Sequence, residues 1–277
     1  MLKKLIAALF AAIMIITSAS ADTVELPVFM YHFITKDAYR HGELHISPAE
    51  FEKDLAYLAD NGYNTVDITD LLDFVYSGVP LPPNPVMLTF DDGYYNNYLH
   101  AYPLLQKYGA KAVIFIIGKH TNIWSVNFYP DESHGHMTWE QIREMLDSGL
   151  VEFGGHSYNL HVAQNRSSNG RQGVARLPYE NIDSYRELFG NDTRLFNEHF
   201  RDETGANPVS FAFPFHEACE DATDILTEHG YRVFFTHRGK NARNTIAAGD
   251  AESLLDLYRL NRSMQRSVKE MLTVDGS

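Results

Sequence analysis

Short apolar runs recur along the chain, at Leu26–Tyr31, Thr65–Ile68, Pro85–Phe90, Lys111–Ile117, Val151–Gly154, Val209–Phe213 and Tyr231–Thr236, with a last one at Leu257–Leu260. Their length and their content of β-branched and aromatic residues predict strands. The segments between them carry apolar residues at helical spacing. Ser47-Pro48-Ala49-Glu50 predicts a helix start, with Ser as N-cap, Pro at the first helical position and Glu50 in the capping-box place. Phe51, Leu55 and Leu58 continue that helix at i, i+4 and i+7, and Asn61-Gly62 ends it. Thr69–Tyr76, Tyr95–Tyr108, Thr138–Asp147, Tyr179–Thr204 and Ala218–His229 predict further helices. Gly109, Gly149 and Gly230 each stop a helix just before a strand.

Strands alternating with helices in this way indicate βα units and a parallel sheet, and seven or eight such strands can close into a barrel. Val86-Met87-Leu88 and Val113–Ile117 are apolar without alternation, as strands buried on both faces require. Val162–Pro178 is polar, contains Gly170 and Gly173, and reads as a long surface loop. With no internal repeat or flexible linker, the pattern gives one domain.

The first residues stand apart from this pattern. Lys3 and Lys4 precede an apolar stretch from Leu5 to Ile16, followed by Ala19-Ser20-Ala21. This is the form of a secretory signal peptide cleaved after Ala21, with an apolar stretch too short to span a bilayer. The expected division is therefore a signal peptide over 1–21 and a mature domain over 22–277, secreted or held in the cell envelope or periplasm, with no stable membrane insertion after cleavage.

Composition adds exclusions. The chain has 36 Asp and Glu against 23 Lys and Arg, a formal charge of −13. Such a field disfavours nucleic acid and anionic lipid as partners. Cys219 is the single cysteine, so no disulfide forms within the chain, and it reads as a small buried residue.

Three places carry candidate chemistry. Leu88-Thr89-Phe90-Asp91-Asp92-Gly93 puts two adjacent carboxylates at the end of a buried strand, where barrel active sites are built. Their side chains diverge, so one Asp can ligate a metal while the other faces substrate; taken alone, the motif is equally a plain turn. His156-Ser157-Tyr158-Asn159-Leu160-His161 follows another strand, and its two imidazoles can converge on one ion. One Asp with two His suits hydrolytic Zn²⁺ or a similar divalent metal, although two histidines among 13 can also lie idle on a surface. Ser210–His216 is a strand that stops at Pro214 and turns, a place where backbone N–H groups can face an oxyanion.

In this order, the three motifs resemble the polysaccharide deacetylases of carbohydrate esterase family 4. Leu26-Pro27-Val28-Phe29-Met30-Tyr31-His32 is similar to the start of that superfamily's Tyr-His branch, and Leu104–Gly109 and Tyr258-Arg259-Leu260 extend the likeness. The resemblance implies a distorted (β/α)7 barrel and metal-dependent removal of N- or O-acetyl groups from a polysaccharide, a hydrolysis of carbon–nitrogen bonds other than peptide bonds in the N-acetyl case. It implies Asp91 as general base, Asp92, His156 and His161 as ligands of a divalent metal, Zn²⁺ foremost, and Phe215 at the position whose backbone N–H joins the oxyanion hole. An acetylated glycan is then the partner.

Two departures matter. The arginine that many members carry near this turn, where it orients the catalytic aspartate, is Ala212 here. The late Leu-His motif is also missing from Leu257–Asn261. In the Tyr-His branch the acid comes from the N-terminal His, which makes His32 the expected acid. Arg259 is then structural or orients a carboxylate. The departures leave room for a catalytically inactive carbohydrate-binding envelope protein on the same barrel. A glycosidase fits poorly, since it needs two carboxylates facing each other across a sugar bond.

His134 and His136 read as members of a solvated loop, Trp139 as core, and Trp124 as a loop residue able to stack on a sugar.

Overall fold

The computed structural model describes residues 22–236 and 243–273. The expected signal peptide at 1–21 lies outside the described residues. The strands are β1 (Thr23–Leu26), β2 (Val28–Tyr31), β3 (Phe33–Ile34), β4 (His45–Ile46), β5 (Asn64–Thr65), β6 (Pro85–Phe90), β7 (Ala112–Ile116), β8 (Val151–Gly155), β9 (Ser210–Ala212), β10 (Val233–Thr236), β11 (Asn244–Ala247), β12 (Leu257–Tyr258) and β13 (Leu260–Asn261). The helices are α1 (Pro48–Asp60), α2 (Ile68–Leu72), α3 (Tyr102–Tyr108), α4 (Gly118–Val126), α5 (Trp139–Asp147), α6 (Ile182–Thr204), α7 (Glu220–Glu228) and α8 (Val268–Thr273).

The main sheet runs β12-β10-β9-β8-β7-β6-β2-β13, with every pairing parallel. β12 and β13 lie at its two ends, yet one residue, Arg259, separates them in sequence. Leu257–Tyr258 pairs with β10 and Leu260–Asn261 pairs with β2, so this stretch of chain nearly closes the sheet into a barrel. The result is an α/β barrel of seven strand positions in a single domain.

The alternation of β-strand side chains divides the core. Val28, Met87, Val113, Phe115, Ala212, Val233, Phe235 and Leu257 pack together in one buried cluster. Their sequence neighbours Phe29, Tyr31, Leu88, Phe90, Ile114 and Ile116 pack with Phe51, Leu55, Leu105, Ile142 and Met145 of the surrounding helices. Burying each such large side chain contributes roughly 1.5–3 kcal/mol.

Several differences from the sequence reading have local causes. The run Leu26–Tyr31 is broken at Pro27, which lacks a ladder N–H. β1 therefore leaves the barrel and pairs antiparallel with β11, while β2 enters it. The expected strand at Thr65–Ile68 ends after Thr65, because Asp67 forms a reciprocal capping box with Asp70 and starts α2. Tyr179–Thr204 is helical from Ile182, where Asn181 caps the helix. Tyr95–Tyr108 opens with a wider π-type turn at Asn97–Ala101 before α3.

α4 was not expected and carries Trp124, so Trp124 is a helix residue rather than a loop residue. Val162–Pro178 lacks long elements, but Arg171 and Val174 within it are buried, so it is folded against the body. Trp139 is core, as expected, and Cys219 is half-buried beside the Tyr185 hydroxyl.

Candidate active site

The C-terminal ends of the barrel strands converge on one cavity of about 320 Å³. At the end of β6, Asp91 N–H donates to Tyr31 O and so extends the β2–β6 pairing by one residue. Asp92 then adopts a left-handed conformation with φ +70° and Gly93 follows with φ +69°. The two carboxylates consequently diverge. Gly93 has a second reason to be glycine: a Cβ there would stand 2.7 Å from Ile116 Cγ2.

Asp92 faces the two histidines. His156 Nε2 lies 3.4 Å and His161 Nε2 3.2 Å from Asp92 Oδ1. The His156 ring is oriented by Nδ1, which donates to Ala212 O at 2.7 Å. A carbonyl can only accept, so the Nδ1 proton is fixed and Nε2 presents its lone pair to the cavity. Burial pushes the His156 imidazole down to about 4, which keeps that lone pair available at neutral pH. Asp92 Oδ1 is buried without a hydrogen-bond partner. An orphaned carboxylate oxygen beside two imidazole nitrogens, with one ligand atom from each residue all within 4.8 Å of one another, fits a divalent cation.

Asp91 has a different environment. Arg259 donates to both of its oxygens, Nη1 to Oδ1 at 2.6 Å and Nη2 to Oδ2 at 2.8 Å. Burial pushes the Asp91 carboxyl up, but the charge and hydrogen bonds of Arg259, foremost among its neighbours, outweigh it and hold the group well below the usual carboxylate range. Arg259 is fully buried and its guanidinium also lies over the Phe115 ring. The arginine expected near the Phe213-Pro214-Phe215 turn is thus absent at Ala212, and Arg259 reaches Asp91 from the barrel seam.

His32 follows β2, and its Nε2 stands 3.9 Å from Asp91 Oδ2. Phe215 and His216 both have left-handed backbones, with φ +56° and +63°. Such conformations cost of order 1–3 kcal/mol for residues other than glycine and concentrate at functional sites. The Phe215 ring stacks on His161 at 4.5 Å between centroids. All six residues expected at the site therefore line this one cavity.

The sequence reading missed Glu43, Leu44, Tyr94, His216 and Asn261, which complete the wall. His216 adjoins a residue already singled out, and Tyr94 follows Asp-Asp-Gly directly, so proximity to a motif was their available signal. Burial and the adjacent Asp92 push the Tyr94 hydroxyl far up, which keeps it a neutral donor. Glu43 and Leu44 come from the β3–β4 connection and carried no signal.

His134 is exposed, as expected of a loop, but His136 is not solvated. It is buried, its Nδ1 donates to Asp92 O at 2.9 Å, and its Nε2 lies 3.0 Å from His120 Nδ1. Its ring braces the turn that carries Asp92.

Comparison with known proteins bears on the fold and the family. The chain is 30% identical over 224 residues to the poly-beta-1,6-N-acetyl-D-glucosamine N-deacetylase of Escherichia coli (strain K12), which covers 74% of this chain and 33% of that protein. The chain thus spans about a third of that relative's length. The solved structure of a de-N-acetylase from Aggregatibacter actinomycetemcomitans superposes with a TM-score of 0.75 at 25% identity, covering 90% of this chain and 99% of the other. The structure of IcaB from Ammonifex degensii gives 0.72 at 27% identity, covering 90% and 96%. The polysaccharide deacetylase family model matches residues 78–234, more than half of the sequence, and the chain belongs to the polysaccharide deacetylase family.

Proposed function

We propose that this protein hydrolyses acetyl groups from an N-acetylated polysaccharide, releasing acetate and leaving a free sugar amine. One observation carries the reading: a buried carboxylate clamped by arginine, Asp91, opens on the same cavity as the Asp92–His156–His161 set. Binding alone requires no such pairing of a proton acceptor with a ligand set.

Asp92, His156 and His161 would hold a divalent cation, and Zn²⁺ suits one carboxylate and two imidazoles best. Such an ion supplies Lewis acidity toward an acetyl carbonyl and a water molecule. Asp91 accepts the proton of the attacking water, and Arg259 holds its carboxylate in position. The Phe215 N–H would donate to the oxygen that becomes negative as water adds to the acetyl carbon. His32 gives a proton to the departing amine nitrogen. The balance is one water consumed per acetamide cleaved, with one acetate and one amine formed.

The polymer named for the Escherichia coli relative, together with a chain charge of −13, favours a neutral or partly cationic N-acetylglucosamine polymer over an anionic glycan. The signal pattern at 1–21 supports a reaction outside the cytoplasm, in the envelope or beyond. Among the described residues no helix is long and apolar enough to cross a membrane.

The test is acetate release from a panel comprising poly-β-1,6-N-acetylglucosamine, chitin oligosaccharides, peptidoglycan fragments and acetylated xylan. The protein is first stripped with a chelator and then reconstituted with Zn²⁺. Acetate release from an N-acetyl polymer that disappears on stripping and returns with metal is expected. Release only from the O-acetylated xylan would reassign the bond cleaved.

A further inference from the structure

The segment between the two metal histidines is short, and what holds it lies elsewhere in the chain. We infer that Asp192 is a positioning residue for the metal centre: from the middle of α6, its carboxylate grips two successive peptide N–H groups between His156 and His161 and fixes where the His161 imidazole stands. The inference rests on the metal reading given above.

The accounting of backbone groups in this segment leads to Asp192. His156 N–H donates to Ile116 O, a continuation of the β7–β8 pairing. Leu160 N–H donates to Ser157 Oγ. The carbonyls of Ser157 and Tyr158 accept from Gly118 N and Lys119 N at the start of α4. In the middle of the segment, Tyr158 N–H and Asn159 N–H turn to α6. Asp192 Oδ2 takes the first at 2.8 Å and Oδ1 takes the second at 2.8 Å.

One carboxylate thus fixes two adjacent peptide planes, two residues before His161. His156 is held independently, by the sheet ladder and by Ala212 O. Those bonds do not reach His161, whose ring stacks on Phe215, lies 5.0 Å from the His156 ring and comes within 3.2 Å of Asp92 Oδ1. The effect of Asp192 therefore falls on His161.

The rest of the α6 face serves the same segment. Asp192, Phe196 and His199 recur at i, i+4 and i+7. The His199 ring lies parallel to the Tyr158 ring, 5.3 Å between centroids and 5° between planes. On the other side Asn122 Nδ2 donates to the Tyr158 hydroxyl. Gly118 lets α4 approach, since a Cβ there would stand 2.8 Å from Tyr158 Cδ2 and 3.0 Å from Phe196 Cδ2. Tyr158 is therefore gripped by ring and backbone between α4 and α6.

A carboxylate is an expensive way to satisfy two N–H groups. Burial pushes the Asp192 carboxyl up to about 6 against the pull of its two backbone donors. What the carboxylate offers is two acceptors in a rigid fork with no donor hydrogen. Asparagine has one acceptor, and its amide hydrogens would face the second N–H.

The test is Zn²⁺ affinity of apo protein by chelator competition, for wild type, Asp192→Asn and His161→Ala, with the apo unfolding midpoint of each. Asp192→Asn is expected to weaken Zn²⁺ binding roughly tenfold or more while its apo midpoint stays near wild type. Wild-type Zn²⁺ affinity in Asp192→Asn, beside lost binding in His161→Ala, would overturn this inference and leave the metal site standing. Absence of Zn²⁺ binding by wild type would instead remove the metal reading on which it rests. If Asp192→Asn does not fold, amide exchange in wild-type apo protein decides. Tyr158 and Asn159 N–H should exchange at least about tenfold slower than free loop amides, and open-loop rates would overturn the clamp.

Discussion

The guanidinium of Arg259 meets the carboxylate of Asp91 through two parallel hydrogen bonds, 2.6 and 2.8 Å long, in the barrel interior. The contact joins residues far apart in sequence, and it forms because Arg259 is the residue between the two strands that bring the barrel ends together. A planar, permanently charged fork fixes both the ionisation and the orientation of its partner. Arg259→Gln should therefore lower turnover and destabilise the fold by about 3–5 kcal/mol, since it leaves a buried carboxylate without its cation. Arg259→Lys should recover part of the stability but not the orientation, because an ammonium cannot reproduce two parallel bonds. Thermal unfolding measured beside turnover separates the two effects.

The metal set predicts a simpler outcome. His161 is partly exposed and makes few structural contacts, so His161→Ala should keep the fold and abolish stoichiometric metal binding and activity. Metal analysis of the purified variant checks this, and unchanged stoichiometry counts against the assignment.

His32 should reveal itself through the leaving group. Its Nε2 stands 3.9 Å from Asp91 Oδ2, on the side of the cavity opened by β2. His32→Ala should slow cleavage of an acetamide severely, because an amine leaves poorly without a proton. An activated aryl acetate should be much less affected. Equal losses on both substrates would mean damage to metal binding or folding, and no loss on either would remove His32 from the reaction.

Asp192 makes the stability of the apo protein depend on pH. Its folded value of about 6 lies above the unfolded value near 3.9. The folded state thus holds the proton more tightly, so this group favours folding below about pH 4 and that contribution is lost as pH rises through 6. The lost contribution is of order 3 kcal/mol. Asp192→Asn should flatten the unfolding midpoint between pH 4 and 6, measured on metal-free protein. An unchanged slope would mean that Asp192 titrates normally.

Most of the barrel and half of the site wall are legible in the sequence, for a common reason. His32, Asp91, Asp92, His156 and Phe215 sit at or just past the ends of apolar runs, His161 follows His156 by five residues, and strand ends of a parallel barrel share one face. Long-range compensation is legible only in part: Arg259 is a candidate to orient a carboxylate, but the sequence does not say which one. Ala212 marks an arginine as missing, but nothing adjacent to Arg259 says that it reaches Asp91 across the barrel. α4 escapes notice because Gly118–Val126 has no apolar stripe, with only Gly118 and Thr121 buried. Asp192 did leave a trace: it interrupts the buried stripe Tyr185, Phe189, Phe196, Phe200 with a carboxylate. An acidic residue on the apolar face of a helix needs a partner, and here the partner is the backbone between His156 and His161.

The central claim is that Asp91 takes a proton from water beside a bound metal to release acetate. The most direct measurement is the yield of acetate and free amine from poly-β-1,6-N-acetylglucosamine, for Zn²⁺-loaded wild type and Asp91→Asn at equal metal content. The account predicts equimolar acetate and amine from wild type, and a rate lower by roughly 10²-fold or more in Asp91→Asn. Equal rates for the two proteins, or no acetate from metal-loaded wild type, would contradict it.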